Sequence, residues 1–179
     1  MQPVLDYLKK NEARFITELC DYLRFPSVSA QSKHKKDLEA CAGWLVKRCR
    51  DIGLETKLCP TEGNPIVVAK TPRRKGAKRP HFLVYGHYDV QPAEPFELWK
   101  TPPFEPRIEK GRLYARGSAD NKGQHLAHLN AVEAYLKTGT ELPCDLTFVI
   151  EGEEEVGSKS LGGFLKKNIN ELRCDARWR

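Results

Sequence analysis

Four carboxylates, Glu151, Glu153, Glu154 and Glu155, stand within five positions directly after the apolar run LTFVI. Like charges this close repel one another unless water screens them or a cation neutralises them. Two other segments carry related chemistry. His87 and Asp89 follow the apolar run HFLVYG, and Asp120 opens a helical pattern. Imidazole nitrogens and carboxylate oxygens converging from separate segments are what a hard or borderline cation binds. His87, Asp120 and Glu155 are therefore the candidate ligands. Asp89 is placed to accept a hydrogen bond from the His87 ring and fix its orientation. Glu154, beside a ligand, is placed to take a proton from an activated water. Each residue also has a plainer role: a structural histidine, a helix cap, a solvated acidic face. The joint pattern is more informative than any member of it.

The remaining histidines carry no such pattern. His125 and His128 are three apart on a helix without a third ligand near in sequence, and are expected to be ordinary helix residues. His34 lies in a lysine-rich loop and His81 opens a strand; neither is assigned a role.

The elements that must position these residues follow from periodicity. Leu5, Leu8, Phe15, Ile16, Leu19 and Leu23 predict a helix over 3–24 that Pro26 ends. Leu38, Cys41, Leu45 and Cys49 predict a second, over 37–52, stopped by Gly53. LETKLC, PIVVAK and HFLVYG read as strands, the last apolar throughout, as for a strand buried on both faces. A long Pro-rich irregular stretch follows over 87–113, of the kind that more often serves function than idles, with LYAR as a short strand. Residues 120–139 predict a helix, CDLTFVI a buried strand, and SLGGFLKKNINELRC a further helix. CDARWR does not read as a strand. Alternating strands and helices point to an α/β layer architecture with a largely parallel sheet. In such sheets functional residues gather at the carboxyl ends of strands, where His87 and the Glu151–Glu155 cluster fall.

The 179 residues suffice for one domain with a hydrophobic core, and 40% hydrophobic with 30% charged residues is a globular composition. No apolar run is long enough for a membrane helix, and the N-terminus lacks the pattern of a signal peptide, so a cytoplasmic location is expected. Six scattered cysteines without a C-x-x-C pair argue against a thiolate zinc site and a disulfide framework. The net charge is +6, and the basic run KTPRRKGAKRP (70–80) contributes to it. That run has no interleaved aromatic residue, so it reads as a solvated connection and nucleic acid binding is not expected.

YGHYDVQP (85–92), LWKTPPFEP (98–106), LYARGSADNKGQ (113–124) and EGEEEVGS (151–158) resemble motifs of the co-catalytic zinc aminoacylase and carboxypeptidase family. That family includes carnosinase-like dipeptidases, carboxypeptidase G and acetylornithine deacetylase. The form GHYDVQP and the LW…PPFEP segment are most similar to the dipeptidase branch. The resemblance implies a three-layer α/β/α zinc-exopeptidase-like domain. It implies two zinc ions, with manganese or cobalt as possible replacements. His87 and Glu155 would each ligate one ion, Asp120 would bridge them, Asp89 would orient His87, and Glu154 would be the general base. Asn121 stands where the family usually has an acidic residue, and a cis peptide is implied at the 120–121 step. The implied reaction is metal-dependent hydrolysis of dipeptides or short peptides. N-acyl amino acid deacylation is the alternative within the family.

The resemblance also implies that 1–179 corresponds to the N-terminal portion of the catalytic domain. Two further family ligands, and the lid domain through which members often form homodimers, have no counterpart in this sequence. An incomplete, truncated domain is therefore an expectation, with a non-catalytic remnant or polyanion-binding module as a further reading.

Overall fold

The computed structural model describes residues 1–72 and 79–178. The central positions of the basic run fall outside the described residues, so its reading as a solvated connection is not taken further.

The chain opens with two helices, α1 (Gln2–Lys10) and α2 (Glu12–Leu23), where the periodicity predicts one. The break is at Asn11, whose backbone leaves the helical range (φ −102°, ψ 8°) and whose side-chain amide donates to the Tyr7 carbonyl at 2.8 Å. A side chain that competes for helix carbonyls in this way favours ends over interiors. Next come α3 (Lys35–Asp51) and strands β1 (Glu55–Cys59), β2 (Ile66–Lys70) and β3 (His81–His87). The Pro-rich stretch holds a short hairpin, β4 (Arg107–Glu109) with β5 (Arg112–Tyr114), of which only the second strand is legible beforehand. It leads to α4 (Lys122–Thr138), β6 (Asp145–Glu151), α5 (Leu161–Lys167) and β7 (Ala176–Trp178). Gly139, in the left-handed region at φ +66°, ends α4, a position where any side chain would be strained.

The main sheet has the order β1-β2-β6-β3-β7. It is mixed rather than largely parallel. β3 runs parallel to both β6 and β7, whereas β2 runs antiparallel to both β1 and β6. The short link between β1 and β2 allows only an antiparallel return; a parallel one needs a crossover of a dozen or more residues. The final segment, expected not to be a strand, pairs as β7 with Phe82–Val84 of β3.

Strand alternation sorts the core into two layers. Val67, Ala69, Val84, Phe148 and Ile150 face one side, where they pack with Leu38 and Leu45 of α3 and Leu126 and Leu129 of α4. Ile66, Val68, Leu83 and Val149 face the other, against Leu161, Phe164 and Leu165 of α5. Helices thus cover both faces, giving the three-layer α/β/α arrangement. Truncating a fully buried leucine such as Leu45 or Leu129 to alanine would cost about 2–5 kcal/mol, the usual range for core cavities. Among the described residues no helix is long and apolar enough to cross a membrane.

Candidate metal centre

β3 and β6 lie side by side in parallel register, with His87 level with Glu151. Both strands therefore deliver their following residues to the same edge. The Asp120–Asn121 step, a cis peptide, precedes α4 at that edge. One ligand atom from each of His87, Asp120 and Glu155 lies within 4.8 Å of the others, so the three predicted ligands are brought together. His87 Nε2 is 3.0 Å from Asp120 Oδ1 and 4.0 Å from Glu154 Oε2. The His87 side chain is 5% exposed, whereas that of Asp120 is 74% exposed and that of Glu154 42%. One face of the cluster is thus fixed by protein and the other opens to solvent.

Asp89 is fully buried and stands behind His87. Its backbone oxygen lies 3.1 Å from His87 Nδ1 and its Oδ1 3.4 Å from the same atom. The carboxylate also accepts from the Glu154 N–H at 3.3 Å, the Glu155 N–H at 3.1 Å and the Ser29 hydroxyl at 2.6 Å. With Nδ1–H donating to Asp89, the Nε2 lone pair is left for the cluster. Ser29 reaches this point because Val28 bridges Val90 and the Ser27 hydroxyl donates to the Tyr88 carbonyl at 2.7 Å.

The acidic cluster divides its labour. The buried Glu151 accepts from Tyr85 Oη at 2.6 Å and Ser158 Oγ at 2.8 Å, which ties the loop after β6 back to the sheet. Glu153 accepts from the Ser160 N–H at 3.0 Å and the Asn64 N–H at 3.4 Å, pinning that loop between the β1–β2 turn and the start of α5. Only Glu154 and Glu155, in a 3₁₀ turn (Glu154–Val156), are directed to the centre. Gln91 donates to Glu155 Oε2 at 2.7 Å and orients it. So two of the four carboxylates hold the loop, and two are left for chemistry.

The electrostatics point the same way. Burial acts to lower the pKa of His87, but its hydrogen bond to Asp89 and the charges of Asp89 and Glu154 outweigh this and raise it to about 9. Burial, with the nearby carboxylates of Asp120 and Glu154, pushes Glu155 up as well. Surplus negative charge draws His87 towards protonation, and it adds to burial in doing the same for Glu155. A divalent cation would relieve that surplus, and the mixed imidazole–carboxylate donor set suits one. The residues present thus fit a metal ion.

Two side chains to which the sequence analysis gave no role at the site, Asn121 and His125, also meet here. Asn121 occupies the N-cap position of α4 but makes no capping bond. Instead its Oδ1 accepts from the His87 N–H at 3.2 Å and lies 3.1 Å from His125 Nδ1. His125 is fully buried, its Nε2 is 2.9 Å from Tyr22 Oη, and burial pushes its pKa down to about 3, so the ring is neutral. His128 is outside the cluster. His81 sits at the far end of β3, with its Nε2 2.8 Å from Thr147 Oγ1 and its N–H donating to Asp175 at 2.8 Å. Asp175 is thereby held at the opposite end of the strand from His87.

Comparison with known proteins gives this geometry a context. The chain is 35% identical over 182 residues to the Cys-Gly metallodipeptidase DUG1 of Candida albicans, covering 93% of this chain and 37% of that protein. It superposes on an M20 family metallo-carboxypeptidase from Sulfolobus solfataricus with a TM-score of 0.83 and 36% identity, over 91% of this chain and 36% of the other. Human carnosine dipeptidase 1 gives a TM-score of 0.86 at 28% identity, over 93% of this chain and 37% of the other. The chain therefore spans little more than a third of the length of these relatives. Residues 83–178, which carry most of β3, the cluster and β6, match peptidase family M20/M25/M40. The chain belongs to that family of peptidases.

Proposed function

We propose that the protein hydrolyses the peptide bond of dipeptides or short peptides, with a metal centre held by His87, Asp120 and Glu155. The observation that carries this reading is the convergence of these three donors within 4.8 Å, beside a half-exposed Glu154. The names of two similar proteins, a Cys-Gly metallodipeptidase and a carnosine dipeptidase, support dipeptides as the substrate class. Two zinc ions are our assignment, and His87, Asp120 and Glu155 are the residues that would hold them; manganese and cobalt suit the same donors. When bound, the metal supplies Lewis-acid polarisation of the scissile carbonyl and eases deprotonation of water.

The chain's own residues supply the rest. Asp89 holds the His87 ring by Nδ1 and, through two backbone N–H groups, sets the turn that carries Glu154 and Glu155. Asp120 projects into solvent from the opposite side, so substrate can approach the open face. Glu154 takes the proton of the attacking water and delivers it to the leaving amine nitrogen. All six cysteines are free, which supports a reducing compartment, the cytosol, as the site of action.

The test is hydrolysis of a panel of dipeptides and N-acyl amino acids with added zinc or manganese, comparing the protein with Glu154→Gln. Metal-dependent cleavage of dipeptides is expected, lowered about 10²–10⁴-fold in the variant, the usual worth of a positioned acid–base group. Equal rates in the two proteins would overturn the base assignment. Cleavage confined to N-acyl amino acids would overturn the substrate class.

A further inference from the structure

The Asn121 amide meets two groups through one oxygen. Oδ1 accepts from the backbone N–H of His87 at 3.2 Å, and His125 Nδ1 lies 3.1 Å from it. An amide oxygen has two lone pairs and can serve two donors, so His125 Nδ1 must carry the proton. Nε2 is then the acceptor, and it receives the hydrogen bond of Tyr22 Oη at 2.9 Å. Both ring nitrogens of a fully buried imidazole are thereby satisfied in a single tautomer.

Each end of this chain of hydrogen bonds is anchored. Tyr22 is fully buried near the end of α2, and its ring stacks on Trp44 with centroids 4.6 Å apart and planes 9° apart. The buried Lys122 ammonium donates to the carbonyls of Tyr22 at 3.2 Å and Phe25 at 2.9 Å. At the other end, a Cβ on Gly86 would lie 2.9 Å from Asn121 Oδ1 and 3.2 Å from His125 Cβ, so the strand passes as closely as a glycine allows. Rotating the Asn121 amide by half a turn would bring its NH₂ against two donors.

We infer that His125, held by Tyr22, is a positioning residue that locks the Asn121 amide and through it fixes the backbone of His87 relative to Asp120. Its role in metal binding rests on the function proposed above; its tautomer does not. The side chain touches neither a ligand atom nor substrate. It acts by holding the strand end and the 120–121 step in one relative position. Outer residues of this kind commonly contribute measurably to metal affinity.

The test compares the metal-free and metal-titrated chain with His125→Leu and His125→Asn. Asparagine replaces the Nδ1–H donor but not Nε2; leucine replaces neither. Calorimetric titration with Zn(II) alone is expected to show affinity about tenfold weaker for His125→Leu and within about threefold of the original for His125→Asn. Thermal unfolding is expected to be lowered in both, because both disturb the contact with Tyr22. Nitrogen NMR of the metal-free chain is expected to show His125 protonated at Nδ1. An Nε2–H tautomer, or equal loss of zinc affinity in the two variants, would overturn the inference. Should the unaltered chain bind no zinc, the metal reading itself fails. The relay is then decided by the tautomer and by the His87 amide resonance, expected to shift in His125→Leu and hold in His125→Asn.

Discussion

Asp89 shows how much of the centre rests on a residue that faces no solvent. Its carboxylate gathers the Ser29 hydroxyl, two backbone N–H groups and the His87 ring. Removing the Ser29 hydroxyl would withdraw a short bond to an ionised acceptor, of the class worth about 1.5–3 kcal/mol. Ser29→Ala is expected to lower the urea midpoint accordingly, and Ser29→Thr, which keeps the hydroxyl, to restore most of it. Unchanged stability in the alanine variant would mean that water replaces the bond fully. His87, Asp89, Asp120, Glu154 and Glu155 were legible as candidates in the sequence because they lie at the ends of recognisable strands and helices, within distinctive motifs. Ser29 was hidden in a polar loop, since its partner is 60 positions away. His125 looked ordinary for the same reason: Tyr22 is 103 positions distant, and helix periodicity says nothing of it.

At the scale of elements, the loop from Glu151 to Ser158 leaves little room for substitution. Gly152 has no room for a side chain, since a Cβ there would come within 2.3 Å of the Tyr88 ring. Tyr88 cannot retreat readily, being fully buried with its Oη bonded to the Pro65 carbonyl at 2.8 Å. Gly152→Ala is expected to cost about 1–3 kcal/mol in unfolding free energy, as overpacking does. It should also weaken zinc binding, because the turn bearing Glu155 must shift. Wild-type zinc affinity in a destabilised variant would separate the loop from the centre. The buried strands β3 and β6 were readable as continuous apolar runs because helices cover both faces of the sheet. β7 was not, because a three-residue strand owes its place to pairing with β3 rather than to any pattern of its own. The direction of β2 was equally invisible in its residues, and was settled by the short link to β1. Asn11, which divides the first helix, is a polar residue within an otherwise continuous periodic stretch.

Across the whole molecule, one carboxylate links four helices. Glu133 of α4 accepts from Tyr7 of α1 at 2.8 Å, from Arg14 of α2 at 2.6 Å and from Arg48 of α3, and Glu18 completes the network at 2.9 Å from Arg48. Burial alone would raise the Glu133 pKa, but the hydrogen bonds from Arg14, Arg48 and Tyr7 prevail and lower it. Glu133→Ala is expected to cost about 1–3 kcal/mol at neutral pH, because charge-assisted hydrogen bonds from Arg14, Arg48 and Tyr7 are lost while Glu18 still pairs with both guanidinium groups. A carboxylate with a depressed folded pKa contributes stability that is fully present above its ordinary value of 4.5 and is lost as pH falls through the folded value. The gap between the protein and Glu133→Ala should therefore narrow on acidification below about pH 4.5, as read by urea unfolding across pH. A gap independent of pH would show that packing, not charge, sets the cost.

The place of β6 in the sheet has a consequence for the integrity of the chain. β6 is inserted between β2 and β3, paired to β3 along its whole length and to β2 over Thr147–Ile150. The exposed turn Phe96–Leu98, with Leu98 77% exposed, lies between the strand that delivers His87 and the segments that deliver Asp120, Glu154 and Glu155. Severing the backbone there would divide the donors between two fragments. The second fragment would still be gripped by the first on both edges of one strand, with His87 and Glu151 level. The polypeptide is in this sense divisible, since hydrogen-bonded ladders can stand in for the covalent link between the two halves of its centre.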